Sequence, residues 1–187
     1  MERSGARGPR TSFAIRHRSL HNTALVAGSG DPPQPPPRGR PSDRLGDTVA
    51  MSRAERRADT RPDSPCPCGR GVPLSECCGP LLAGANAPTA ERLMRSRYTA
   101  FTVGDAAYLM RTWHPTTRPR SIEFDPEQRW TGLEIVHTTG GGFLHTTGRV
   151  DFRAHWTASG VPDSMREHSR FVRENGEWLY LDDHGDD

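Results

Sequence analysis

Lysine is missing from this chain: all 25 basic residues are arginine. Schiff-base chemistry on a lysine and a Walker-type phosphate lysine are therefore excluded. A codon bias toward arginine accounts for the replacement, since nothing in the sequence selects between the two cations. No run of 18 or more apolar residues occurs, so no segment has the length of a membrane-spanning helix. A nucleophile elbow, a phosphate-binding glycine loop and a second metal-ligand spacing are lacking too. With 187 residues, one domain of ordinary size plus a small module is the limit. These absences predict a soluble protein, and with no convincing export signal the cytoplasm is the expected compartment.

Charge is unevenly spread. Residues 1–63 carry 12 Arg against 7 Asp and Glu, while residues 64–187 carry 13 against 16. The folded part is thus expected to be mildly acidic, which gives nucleic-acid binding little support. Residues 28–41 are almost all Gly, Pro and polar side chains and cannot bury enough apolar surface to offset chain ordering. Residues 1–63 are accordingly read as a disordered N-terminal extension. Met51 offers a second candidate start, so the first fifty residues are read as an upstream extension or a start-site artefact.

All four cysteines fall in one short stretch, Cys66-Pro-Cys68 and Cys77-Cys78, spaced C-x-C-x8-C-C. Bridges within either pair would be strained, and cross-pair disulfides would need an oxidising compartment. A tetrahedral Zn²⁺ site explains the spacing better, with Gly69, Gly71 and Gly79 where the chain must bend around the ion. Four protein ligands leave no open position, so one structural zinc per chain is expected. The segment Ser64-Pro65-Cys66-Pro67-Cys68-Gly69-Arg70-Gly71 with Cys77-Cys78-Gly79 resembles the SEC-C motif, which implies zinc and often a protein-docking surface. This knuckle is assigned residues 64–82.

Behind it, Thr89 reads as the N-cap of a helix with Leu93, Met94, Tyr98 and Phe101 on one stripe, ended by Gly104. Asp105 caps a second helix running to Trp113 and stopped by Pro115. From Trp130 the period becomes two. Leu133, Ile135 and His137 form one face, then Val150, Phe152, Ala154 and Trp156 another. Gly140–Gly142 makes a turn, Gly160 and Pro162 turn the chain again, and Asn175-Gly176 joins strands from Met165 to Arg173 and from Glu177 to Leu181. The layout is α+β, two helices on an antiparallel sheet of about four strands.

The phrases Leu93-Met94-Arg95-Ser96-Arg97-Tyr98-Thr99-Ala100-Phe101, Thr112-Trp113-His114-Pro115-Thr116-Thr117-Arg118-Pro119 and Glu167-His168-Ser169-Arg170-Phe171 on to Trp178-Leu179-Tyr180 resemble the YchJ-like family. That resemblance implies an NTF2-like cone over residues 88–183, a curved sheet wrapped on helices around a pocket, behind a SEC-C-type knuckle. It implies no particular activity.

Candidate pocket residues come from the alternation. Glu167 and Ser169 share the face of Met165 and Phe171, which sends a carboxylate inward, where it can act as acid or base or else pair with Arg95 or Arg97 and pin helix to sheet. His114 is a candidate catalytic partner with Arg118 or Arg97 as anion clamp; the alternative for His114 is capping helix carbonyls. His155 and His168 alternate outward. A zinc-bearing binding or adaptor module is the favoured reading, its partner a protein at the knuckle or a small ligand in the pocket. An enzyme using Glu167 is the alternative.

Overall fold

The computed structural model describes residues 60–183. The expectations for Met51, for residues 28–41 and for nearly all of the N-terminal extension fall outside them. In chain order come a short 3-10 turn (Leu74–Glu76), α1 (Gly79–Leu82), α2 (Ala90–Val103), α3 (Ala106–Arg111) and four strands: β1 (Gln128–Gly140), β2 (Thr147–Ala158), β3 (Val161–Glu174) and β4 (Glu177–Asp183). The strands form one antiparallel sheet in sequence order.

Both main helices start where their caps predict. The Thr89 hydroxyl accepts the Arg92 amide (3.1 Å) and the Asp105 carboxylate accepts the Tyr108 amide (2.9 Å), each satisfying a first-turn donor that the helix itself cannot. Gly104 closes α2 at φ 75°, a left-handed backbone that glycine adopts freely. The second helix, expected to reach Trp113, stops at Arg111. Sheet pairing takes its last turn: the Tyr180 amide donates to the Thr112 carbonyl (2.9 Å) and the His114 amide to the Tyr180 carbonyl (2.8 Å). Trp113 is thereby held in an isolated parallel bridge beside β4.

Two-residue turns join β2 to β3 and β3 to β4. Ser159 and Gly160 (φ 50° and 83°) and Asn175 and Gly176 (φ 50° and 84°) are both left-handed, the type I′ geometry that matches strand twist. Pro162, expected in the turn, lies instead in β3 opposite Thr157. The pair flanking a two-residue turn exchanges both hydrogen bonds, so the next pair exchanges none and Pro162 loses no bond to β2.

β1 departs from simple alternation. Register shifts between Trp130 and Gly132 and between Ile135 and His137 leave Thr131 and Val136 as extra residues, two β-bulges that reset which side chains face inward. Ile135 still pairs with buried Phe152, but His137 pairs with Asp151 and is exposed, so it does not share the inner face as its spacing predicts.

Val150, Phe152, Ala154 and Phe171 of the sheet meet Leu93, Met94, Tyr98 and Leu109 of the helices in one buried cluster, which also contains all four cysteines. The β1–β2 loop seals the start of α2. The Ala90 amide donates to the Gly141 carbonyl (2.9 Å), and a Cβ on Gly148 would sit 2.6 Å from the Gly141 Cα and 3.0 Å from the Ala90 Cβ. Gly148→Ala is therefore expected to cost about 1–3 kcal/mol by overpacking, read as a lower denaturation midpoint. An unaltered midpoint would mean that the loop yields freely.

Candidate metal centre

The knuckle is shaped by backbone before any metal is considered. The Cys66 amide donates to the Val72 carbonyl (2.9 Å), the Leu74 amide to the Ser64 carbonyl (2.9 Å) and the Gly69 amide to the Cys66 carbonyl (3.2 Å). Gly69 and Gly71 take φ 78° and 74°. Gly79 serves differently, since a Cβ there would lie 2.7 Å from the Leu74 carbonyl oxygen: it is needed for close approach. Cys68 and Cys78 are 0% exposed, Cys77 1% and Cys66 4%.

Those turns bring the four sulfurs to one centre. All lie within 4.8 Å of one another, with Cys68 and Cys77 at 3.4 Å and Cys77 and Cys78 at 3.9 Å. Sulfurs about 2.3 Å from a shared tetrahedral ion stand about 3.8 Å apart, whereas a disulfide requires about 2.05 Å. All four are free thiols. Hydrogen bonds from Cys68 and Cys78 pull the Cys66 thiol far below its usual pKa, while the bond to Cys66 pushes Cys68 up to about 12 and bonds to Cys66 and Cys68 drive Cys78 higher still. Without a cation, ionisation is favoured at Cys66 and opposed at Cys68 and Cys78. A divalent cation at the centre replaces the shared protons and lets all four sulfurs ionise. The four cysteines fit a metal ion.

Helix α2 carries the contacts that dock the knuckle. Arg92 donates to the Cys77 Sγ (3.4 Å) and the Cys77 carbonyl (2.8 Å), Arg95 donates to the Cys68 carbonyl (3.1 Å), and the Thr99 hydroxyl lies 3.8 Å from the Cys66 Sγ. Burial works against the Arg92 charge, but the Cys77 sulfur and its neighbours outweigh it and hold the guanidinium above its usual pKa. Sequence reasoning missed Arg92 and Thr99. The signal was present as a polar stripe at i, i+3 and i+7 beside the apolar one.

Glu167 is 2% exposed. Its carboxylate accepts hydrogen bonds from the Ser169 hydroxyl (2.7 Å) and the Tyr180 phenol (3.1 Å). The Tyr180 ring lies 4.5 Å from the Arg97 guanidinium, with Trp113 at 4.9 Å. Arg97 donates to the Leu109 carbonyl (2.9 Å) and the Thr112 hydroxyl (2.8 Å). Burial pushes the Arg97 pKa down to about 10, while the charges of Tyr180, Tyr108 and Glu167 oppose that shift. Arg97 of α2 and Glu167 of β3 thus meet around Tyr180 of β4 in a filled interior. Arg95, the other expected partner of Glu167, bonds Glu91 (2.7 Å) and the knuckle instead.

His114 and Arg118 stand elsewhere. The His114 ring accepts from the Thr116 amide (3.3 Å) through Nδ1, leaving Nε2 to face Glu174 at 3.2 Å. It therefore ties its loop to the β3–β4 hairpin. Capping of α3 falls to Arg118, which donates to the Met110 carbonyl (3.3 Å). His168 faces outward against Asp151 at 2.8 Å. A cavity of about 280 Å³ opens between Ser64, Pro65 and Pro67 of the knuckle, Tyr98 and Thr102 of α2, and Trp130 and Thr131 of β1. Neither Glu167, His114, Arg118 nor Arg97 lines it.

Comparison with known proteins bears on both parts. Residues 89–183 match the family model described as "YchJ, middle NTF2-like domain". The chain is 55% identical over 122 residues to a UPF0225 protein of Streptomyces coelicolor, covering 65% of this chain and 95% of that one. It is 48% identical over 124 residues to a UPF0225 protein of Xanthomonas oryzae pv. oryzae, again covering 65% and 95%. Among solved structures it is similar to a SEC-C motif containing protein from Rhodopseudomonas palustris (TM-score 0.57, 31% identity, 66% of this chain and all of that one). A second is a SEC-C motif containing protein from Psychrobacter arcticus (TM-score 0.52, 26% identity, 63% and 79%).

Proposed function

We propose, from the premise that the chain belongs to the YchJ-like family, that it is a zinc-holding adaptor of a reducing, cytoplasmic setting. One structural Zn²⁺ sits on Cys66, Cys68, Cys77 and Cys78, and the NTF2-like domain serves as a binding module. The observation that carries this reading is the buried tetrathiol centre welded to the domain core. Four sulfurs fill a tetrahedron and leave no position for a substrate, so the metal is structural. A protein partner would meet the knuckle's outer surface, and the cavity beside Trp130 is where a small ligand would enter. The filled surroundings of Glu167 favour a pin between helix and sheet over a catalytic acid.

Elemental mass spectrometry on protein purified without tags or chelators, with a parallel thiol titration, tests the metal. About one zinc per chain and four thiols that react only after chelation are expected. Iron in its place would refute the choice of ion, and two disulfides would refute the centre.

A further inference from the structure

The sheet sorts charge in a way that its sum conceals. On the outer face of β2 and β3, Arg149 stands opposite Arg170, Asp151 opposite His168 and Arg153 opposite Arg166. The alternating inward positions Val150, Phe152 and Ala154 are all 0% exposed, while Arg149, Arg153 and Arg166 are exposed. Counted from the two-residue turn at Ser159 and Gly160, these outer residues form non-hydrogen-bonded pairs, where facing side chains come closest. Like charges directly opposite destabilise a sheet, and here they occur twice.

Part of that charge is answered. Arg170 gives two hydrogen bonds to Asp182 (2.6 and 2.5 Å), and Asp151 meets His168. The side chains of Arg149, Arg153 and Arg166 make no hydrogen bond or ion pair with any described residue, although Glu134 of β1 stands opposite Arg153 in the register. At about 3.3 Å per residue, Arg149 and Arg153 are roughly 13 Å apart along β2, as are Arg166 and Arg170 along β3. Between them the face presents Asp151, His155, Ser164 and His168, with no aliphatic, Phe, Tyr or Trp side chain.

We infer that this face binds the phosphodiester backbone of nucleic acid without reading its bases. A protein partner would need apolar or large aromatic anchors at the centre of the contact, and base stacking would need well-exposed rings; the face has no such anchor, and its two imidazoles, His155 and His168, are half-buried, the second held by Asp151. Guanidinium forks freed from internal partners are matched to phosphate oxygens. The tension between facing arginines is the stability given up to keep them available.

The test uses the full chain and a labelled 20-base-pair RNA duplex of arbitrary sequence, titrated from 50 to 200 mM salt. The double variant Arg153→Gln/Arg166→Gln is expected to lower the slope of log affinity against log salt by about two and to weaken binding by roughly tenfold. Arg166→Glu turns the repelling pair with Arg153 into an attracting one, so its melting temperature should rise while its binding falls. Arg120→Gln, exposed outside the sheet, should leave both unaltered. An undiminished slope in the double variant overturns the inference, and so does an equal loss in Arg120→Gln, which would assign binding to charge at large, including the arginine-rich residues 1–63. Tighter binding of poly-glutamate than of the duplex would assign the face to an acidic protein and overturn it as well.

Discussion

With zinc at the centre as proposed, Cys78→Ser is expected to strip the metal and unfold most of the chain at 25 °C. Zinc contributes on the order of 10–16 kcal/mol to the folding of zinc-finger peptides, while the whole net stability of an ordinary domain is about 5–15 kcal/mol. Cys78 is 0% exposed and shares its buried cluster with Leu93, Tyr98 and Leu109, so damage at the metal does not stay in the knuckle. Losing one ligand should cost several kcal/mol in both metal affinity and fold stability, seen together as loss of zinc and of far-UV circular dichroism. Titrating the unmodified chain with a chelator should give the same end point. If chelation removed zinc and the melting temperature did not move, the NTF2-like domain would stand without its knuckle, and the joint core would be a contact of little energy.

Arg97→Met should be the next most damaging change. It takes the donor from the Leu109 carbonyl and the Thr112 hydroxyl and removes the cation that acts on Glu167 across Tyr180, and each buried polar group left unsatisfied costs about 1–3 kcal/mol. Glu167→Gln should lose less, because Arg97 keeps its bonds to Leu109 and Thr112 and its ring contacts with Trp113 and Tyr180, and the amide oxygen still accepts from Ser169 and Tyr180. Tyr180→Phe removes one donor to the carboxylate and should cost about 1–3 kcal/mol. Arg97→Met/Glu167→Gln should fall short of the two single losses summed, because the two charges act on each other across Tyr180. Urea denaturation of the four variants measures this cycle. Glu167→Gln with unchanged stability but abolished ligand binding or turnover would instead favour the catalytic reading of that carboxylate.

Much of this architecture was legible because local chemistry agreed with the final fold. Thr89 and Asp105 cap the helices they were expected to cap, Asn175-Gly176 makes its hairpin, and Glu167 with Ser169 turns inward as the alternation says. What sequence could not supply was competition from distant backbone. α3 is shortened by β4, which is made some distance later in the chain, and nothing around Trp113 announces that. The bulges at Thr131 and Val136 are settled by the partner strand's register, so a strict period of two placed His137 on the wrong face. Pro162 reads as a turn residue until the type I′ turn beside it is known to need only Ser159 and Gly160. At the candidate metal centre the four cysteines stood out from spacing alone, and the fold brings their sulfurs within 4.8 Å of one another. The stripe Arg92, Arg95 and Thr99 was visible too, but what it faces depends on how the knuckle folds back along α2.

The order of the strands bears on how the chain becomes folded at all. Every pairing in the sheet joins consecutive strands, two of them across turns of two residues, so loop-closure entropy is small and the meander can zip quickly from either hairpin. The front of the molecule has no such freedom: the first amide of α2 waits for the carbonyl of Gly141. During synthesis the cysteines emerge well before the strands that complete their shared core, leaving an interval in which four thiols and a bare amphipathic helix are exposed together. Capture of the proposed metal in that interval, rather than at the finished site, would then set the yield of native protein.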